Sequence, residues 1–383
     1  MEFNYSRPAS GKNYIGRKQE TAALGNLLSQ GENVILCAPP KTGKTSLIDQ
    51  AVFAQRVGSR KCIAVRCSLL DIRSVSAFVL RLGSSVLAAA GSTPVEYAAL
   101  AGKYLDSSHL VFDPERYGGG SEILSLNWDA DERDLQAVLA LPYAVARERG
   151  AQVIVILDEF QNVLLTGSGT MICSQLEACF AQEGSGNGVS YILCASAVNA
   201  MKHIMGRQHF FLKSAALLPL PPVDEREIAD YMNRSFLTSG KVPDRNLLLG
   251  ICRLLRCHLG YLNQYCAICD SSARGYLMAP AMNAALDALV SLHEPHFRAV
   301  MADLTGFQVN LLRALLEGHD QFSSVSVIRK YGLHSSANVC RVKEALCKKE
   351  IISFDDGDKP AVLDPLFEFW ARRDYFKIDS KEL

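Results

Sequence analysis

The stretch that most constrains this chain is Ala38-Pro39-Pro40-Lys41-Thr42-Gly43-Lys44-Thr45-Ser46. It follows the apolar run Asn33-Val34-Ile35-Leu36-Cys37, which reads as a parallel strand buried on both faces. It precedes Ser46-Leu47-Ile48-Asp49-Gln50-Ala51-Val52-Phe53-Ala54, which reads as a helix. Strand, loop and helix is the context in which a Gly-Lys-Thr tail cradles phosphate. Gly43 lets the backbone bend close to phosphate oxygens. Lys44 offers a point charge to the β- and γ-phosphates, and the Thr45 hydroxyl suits Mg²⁺. Amides at the start of the following helix hold the anion. The expected ATP-binding segment is thus Pro39, Pro40, Lys41, Thr42, Gly43, Lys44, Thr45 and Ser46. Ala38 stands where such loops usually open with glycine, the smallest change possible there.

A second motif supports the first. Gln152-Val153-Ile154-Val155-Ile156-Leu157 is an unbroken apolar run that ends in Asp158 and Glu159. Ligands of parallel sheets bind beyond the carboxyl ends of the strands. Asp158 is therefore expected to hold Mg²⁺, and Glu159 to orient or deprotonate the attacking water. A third strand, Val189-Ser190-Tyr191-Ile192-Leu193-Cys194-Ala195, ends at Ser196. Ser196 suits contact with a γ-phosphate, and it equally suits the N-cap of the helix that follows. Arg207, beyond that helix, offers a guanidinium for phosphoryl charge, in this chain or a neighbouring copy. A solvated surface arginine is the plain alternative.

Composition narrows the class. The chain has 383 residues, enough for two or three domains. Lys+Arg 40 balances Asp+Glu 40, so no global basic field advertises nucleic acid, and any such contact must be local. The start, Met1-Glu2-Phe3-Asn4-Tyr5, lacks the features of a signal peptide, and no apolar run reaches membrane-spanning length. Twelve scattered cysteines then suggest a reduced, cytoplasmic protein.

Ahead of the loop, Tyr14-Ile15-Gly16-Arg17 opens a helix expected from Gln19 to Leu28. Such a segment can wrap the nucleotide base, or simply pack on the sheet. Residues 91 to 124 read as an insertion, and Asp131 to Arg149 as a helix with Pro142 inside it. After Pro219-Leu220-Pro221-Pro222, helices are expected from Asp224 to Phe236 and at about 244–257, 261–273 and 279–292. They form a small helical lid. Its Cys266-Ala267-Ile268-Cys269 sits among apolar residues, as packed thiols do. Beyond it, helices over Val309–Leu316 and Ser324–Tyr331, a turn at Gly332, and a third helix from Ser335 through Leu346 form a helix-turn-helix. Glu350–Phe354 and Lys359–Leu363 flank an acidic turn, Asp355-Asp356-Gly357-Asp358, as the wing of a winged helix. Arg329, Lys330, Arg341, Lys343, Lys348 and Lys349 suit DNA phosphates, whereas the wing acids and Glu344 and Glu350 oppose them. DNA and protein both remain open as partners.

Taken together, Tyr14-Ile15-Gly16-Arg17, Lys41-Thr42-Gly43-Lys44-Thr45-Ser46-Leu47, Asp158-Glu159-Phe160-Gln161, Leu141-Pro142-Tyr143-Ala144-Val145-Ala146 and Leu363-Asp364-Pro365-Leu366-Phe367-Glu368-Phe369-Trp370 resemble the archaeal-type ATPase family, a branch near the AAA+ and STAND NTPases. The resemblance implies an α/β P-loop NTPase domain with an AAA+-like parallel sheet, a helical lid and a C-terminal winged helix. It also implies that Ile15, Gly16 and Arg17 lie near the adenine. The expected domains are residues 1–223, 224–296 and 297–383. The expected activity is Mg²⁺-dependent hydrolysis of ATP as a switch. The alternatives are a nucleotide-gated DNA-binding regulator that does not hydrolyse, and a module that oligomerises on ATP.

Overall fold

The computed structural model describes residues 3, 5–58, 61–119, 122–184, 186–272, 274–354 and 359–378. The chain divides into two units. One comprises Lys18–Ala38 and Leu47–Leu220. The other comprises Met1–Arg17, Pro39–Ser46 and Pro221–Leu383.

The first unit is an α/β sandwich. In chain order its elements are α1 (Lys18–Ser29), β1 (Val34–Cys37), α2 (Lys44–Val57), β2 (Cys62–Ser68), α3 (Val75–Ala90), α4 (Pro94–Tyr104), β3 (Leu110–Phe112), α5 (Pro114–Gly119), β4 (Leu124–Leu126), α6 (Glu132–Arg149), β5 (Gln152–Asp158), α7 (Gly169–Glu183), β6 (Val189–Ala195), α8 (Val198–Lys202) and β7 (Ala216–Leu217). The first residues of α2, Lys44 to Ser46, count with the second unit. Five strands form one parallel sheet in the order β2-β5-β6-β1-β7. The apolar runs of β1 and β5, and of β6 apart from Ser190, follow from burial on both faces. Alternate residues go to opposite sides. Val153, Val155 and Leu157 join α3, α6 and α7 in one core. Ile154 and Ile156 join Leu24 and Leu28 of α1 and Leu47, Ile48 and Val52 of α2 in the other.

Register sets the functional edge. Cys37 pairs with Ala195, Leu157 with Leu193, and Ser68 with Asp158. Because all these strands run the same way, β1, β5 and β6 end along one edge. The insertion is a short antiparallel pair, β3 with β4, docked on α3. Ser84 of α3 accepts hydrogen bonds from the amides of Ile123 and Leu124 at 3.0 and 3.2 Å. Helix α6 begins at a capping box in which Asp131 and Asp134 each accept from the other's end of the turn, and it holds Pro142 within it.

The second unit contains α9 (Glu225–Thr238), β8 (Val242–Pro243), α10 (Arg245–Leu254), α11 (Leu259–Ser272), β9 (Tyr276–Leu277), α12 (Ala279–Ala302), α13 (Gly306–Leu316), α14 (Val325–Tyr331), α15 (Ser336–Lys348), β10 (Ile352–Phe354), β11 (Pro360–Val362) and α16 (Pro365–Trp370). A single core runs through it, from Phe3 to Ala371. The winged helix is formed by α13 to α15, the antiparallel β10–β11 hairpin and α16. The wing acids Asp355, Asp356 and Asp358 lie outside the described residues.

Helix α12 differs from expectation. It continues past residue 292 to Ala302, through Pro295, so the expected boundary at 296/297 falls inside one helix. The reason is its buried stripe. Leu289 and Val290 are followed by Phe297 and Met301, and Phe297 packs against Phe367 and Trp370 of α16 at ring distances of 5.6 and 5.5 Å. That burial outweighs the one hydrogen bond the proline removes. No helix among the described residues is long and apolar enough to cross a membrane.

Candidate nucleotide site

At the end of β5 the backbone turns sharply. Glu159 adopts a left-handed conformation, φ +56°, and a 3₁₀ turn follows over Phe160–Thr166. Phe160 is fully buried and packs edge-on against Phe211 at 5.7 Å, which anchors the turn. Asn162 ties it to the end of β2, donating to the Leu69 and Leu70 carbonyls at 3.1 and 2.9 Å. One oxygen of the Glu159 carboxylate, Oε2, accepts from Gln161 Nε2 at 2.6 Å and from the Ser196 hydroxyl. Ser196 does not cap the next helix. The cap position of α8 is Ala197, without a side-chain bond. Asp158, Glu159 and Ser196 thus come together at the carboxyl edge of the sheet. Arg207 is exposed, at the end of a π-helical turn over His203–Arg207.

β1, which the loop follows in sequence, ends on this edge. Ala38 is buried and its amide donates to the Ala195 carbonyl at 3.3 Å. Within the second unit, Lys41 and Gly43 have φ +58° and +98°. Lys44 is buried and folds back to donate to the Pro39 carbonyl at 2.9 Å. Thr42 donates to the same carbonyl at 2.8 Å. Ser46 accepts from the Ala9 amide at 2.8 Å, and Thr45 is exposed.

The start of α11 holds this loop. His258 Nε2 donates to the Pro40 carbonyl at 2.9 Å, and the Gly260 amide donates to the Lys41 carbonyl at 3.1 Å. A Cβ on Gly260 would lie 2.6 Å from Lys41 Cβ, so only glycine permits this approach. His258 Nδ1 accepts from the Tyr261 amide at 3.2 Å. One ring nitrogen donates and the other accepts, which defines the neutral Nε2–H tautomer. Burial likewise holds the imidazole below the ordinary histidine range. The His258 and Tyr261 rings lie 4.4 Å apart, and the Tyr261 hydroxyl donates to Asp364 Oδ2 at 2.6 Å. Asp364 Oδ1 caps α16 through the amides of Leu366 and Phe367. Arg256 adds an ion pair to Glu368 at 3.3 Å and a bond to the Val362 carbonyl at 2.7 Å.

The N-terminal segment belongs to the same unit. Ile15 packs on its core, and Gly16, φ +68°, donates to Glu227 Oε1 at 3.1 Å. A Cβ there would sit 2.1 Å from Val223 Cγ1. Arg17 is 3% exposed and donates to the Pro221 carbonyl.

Sequence reasoning missed Gln161 as a partner of Glu159, and His258, Tyr261 and Asp364 as a connected set. The only available signal was the spacing His258-Leu259-Gly260-Tyr261, where a glycine interrupts an otherwise good helix start. The lid cysteines Cys266 and Cys269 are buried in the core, where burial raises both thiols, Cys269 to about 12. Among the described residues, His109, Asp131 and Asp134 form the one group with metal-binding spacing. Its hydrogen bonds are those of the α6 cap, with Asp134 accepting from the His109 and Asp131 amides at 2.7 and 3.0 Å.

The order of the sheet, with the loop strand beside β6 and β6 beside the acidic strand, can be compared with solved structures. A Walker-type ATPase of Pyrococcus abyssi superposes over 97% of this chain and 100% of that one, with TM-score 0.66 and 17% identity. The chain has the fold of a Walker-type P-loop ATPase. A family model described as "Probable winged helix domain" matches residues 295–373. The ORC1 protein of Aeropyrum pernix in complex with DNA matches over 96% of this chain and 94% of that one, at TM-score 0.49 and 12% identity. RuvB of Thermotoga maritima, a Holliday junction branch migration motor, matches over 99% and 100%, at TM-score 0.41 and 10% identity. No curated protein matches by sequence.

Proposed function

We propose that this protein is a Mg²⁺-dependent ATPase that couples its nucleotide state to the winged helix. One observation carries the reading. β1, which the Gly43-Lys44-Thr45 loop follows in sequence, ends at the same sheet edge as β5, with Asp158-Glu159, and β6, with Ser196 next after it. Positive φ at Gly43 and the N-terminus of a helix beginning at Lys44 fit a phosphate. Thr45 and Asp158 offer the hard oxygen donors that Mg²⁺ takes, and the ion when bound neutralises phosphate charge. Lys44 would exchange the Pro39 carbonyl for phosphate oxygens. Glu159 orients the water that attacks, Ser196 contacts the γ-phosphate, and the Ile15-Gly16-Arg17 segment flanks the base. The α/β unit then binds and hydrolyses with the phosphate loop, α9 to α11 and the start of α12 act as the lid, and the winged helix reads out the state. Arg207, being exposed, suits contact with phosphate in a neighbouring copy.

The test is steady-state phosphate release from wild type, Lys44→Ala and Glu159→Gln with Mg²⁺ and ATP. Lys44→Ala should lose ATP binding. Glu159→Gln should bind ATP and lose nearly all turnover, leaving a small residual rate. Wild-type release that neither substitution changes would refute the reading.

A second reading makes the winged helix a DNA contact gated by nucleotide. It rests on exposed Arg329, Arg341 and Lys348. Two other cations are diverted, Lys330 to Glu317 at 2.9 Å and Lys349 to Asp303. Duplex DNA binding that weakens with salt and with Arg341→Ala would support it. Salt-independent retention would count for a protein partner instead.

A further inference from the structure

We propose that Gln161 is a positioning residue. It holds the Glu159 carboxylate by one oxygen so that the other is presented to water. The inference rests on the ATPase reading above. Three features carry it.

The first is the shared oxygen. Gln161 Nε2, at 2.6 Å, and the Ser196 hydroxyl both donate to Oε2, which leaves Oε1 as the oxygen neither donor engages. Two donors converging from different elements, the 3₁₀ turn and the end of β6, fix the direction of the carboxylate as one donor cannot.

The second is the cost to Gln161 itself. Its side chain is 8% exposed, and its own Oε1 is buried without a hydrogen-bond partner. An ionised carboxylate only accepts, so the NH₂ must face Glu159, and flipping the amide would set oxygen against oxygen. The buried orphan carbonyl is unfavourable. The side chain is therefore oriented by Glu159, at the expense of its other end.

The third is the backbone. The left-handed Glu159 and the turn anchored by Phe160 bring residues 159 and 161 to the same place, although they are only two apart in sequence.

The experiment measures phosphate release and ATP affinity, the latter by titration with a fluorescent ATP analogue, for wild type, Gln161→Met, Glu159→Gln and the double variant. Gln161→Leu is run in parallel in case the methionine packs badly. Gln161→Met should lower kcat about tenfold to hundredfold, the loss expected for a hydrogen bond to a charged group. KM and ATP affinity should stay within about twofold. In the Glu159→Gln background the same substitution should lower residual turnover no further, because Gln161 acts only through Glu159. A purely structural role would lower both backgrounds alike. Full kcat in Gln161→Met and Gln161→Leu, a rise in KM in place of the kcat loss, or equal losses in both backgrounds overturns the inference and leaves the ATPase reading standing. No turnover in wild type, or turnover indifferent to Glu159→Gln, overturns both.

Discussion

Gly16→Ala tests how tightly the N-terminal segment is seated. The residue has φ +68°, which costs an L-residue about 1–2 kcal/mol. The new Cβ would lie 2.1 Å from Val223 Cγ1 and 3.0 Å from Cγ2, far inside van der Waals contact. Val223 is buried in the core of the second unit, so it must shift at an overpacking cost of about 1–3 kcal/mol. The sum is a loss of about 2–5 kcal/mol. In a Val223→Ala background both methyl contacts go, and the backbone term remains with one tight contact of 3.1 Å to the Cβ of residue 223. There the same substitution should cost about 1–2 kcal/mol. A two-unit chain need not unfold in one step, so the probe has to be local. Two tryptophans make this possible. Trp370 is buried in the same core as Val223, whereas Trp128 is 71% exposed in the other unit. Urea unfolding followed by Trp370 fluorescence in a Trp128→Phe background therefore reports the right unit. An unchanged midpoint for Gly16→Ala, or an equal loss with and without Val223, would refute the reasoning.

Asp134→Ala should remove the charged acceptor of the His109 and Asp131 amides and cost about 1.5–3 kcal/mol, seen as faster hydrogen exchange at those two amides. Glu317 is held down to about 2 by hydrogen bonds from Tyr331 and Lys330, with Arg313 adding to them. Its folded value is below that of the unfolded chain, so its contribution is full above about pH 4.3 and is lost as pH falls toward 2. Glu317→Gln should flatten the pH dependence of Trp370-monitored stability across that window. Tyr261→Phe removes the donor to Asp364 and should cost the second unit about 1–2 kcal/mol, measured by the same fluorescence.

Much of the fold was legible because its signals are local or periodic. The aliphatic runs at β1, β5 and β6 have no reading other than buried parallel strands, and Gly332 with the apolar spacing around it marks the turn of the winged helix. The end of α12 was not legible. The expected helix stopped at about residue 292, and only the packing of Phe297 against α16 explains why it goes on past Pro295. The acidic end of β5 was visible as chemistry, but its clamp was not. That Gln161 turns back to Glu159 depends on one left-handed residue, which a glutamate gives no local reason to expect. The grip of α11 on the loop was hidden for a similar reason. It joins backbone carbonyls at Pro40 and Lys41 to residues 218 positions or more away, and carbonyls carry no sequence signature. Ser196 suited two roles on local grounds; it is not the cap of the next helix, and its hydroxyl donates to the Glu159 carboxylate.

Helix α12 has mechanical consequences. Its 24 residues make a rod about 36 Å long. Near its start, Met282, Ala285 and Leu286 are buried in the lid, and near its end Phe297 and Met301 are buried against the winged helix. A rod displaces its tip in proportion to its length, so a tilt of about 10° at the lid end carries the far end about 6 Å. A shift of less than 1 Å near the pivot is thereby magnified several-fold at the tip. Pro295, where the backbone lacks one rung, is the natural elbow along this arm. Stiffening that elbow with Pro295→Ala would lengthen the rigid arm, and loosening it would let the same motion dissipate before it reached α16.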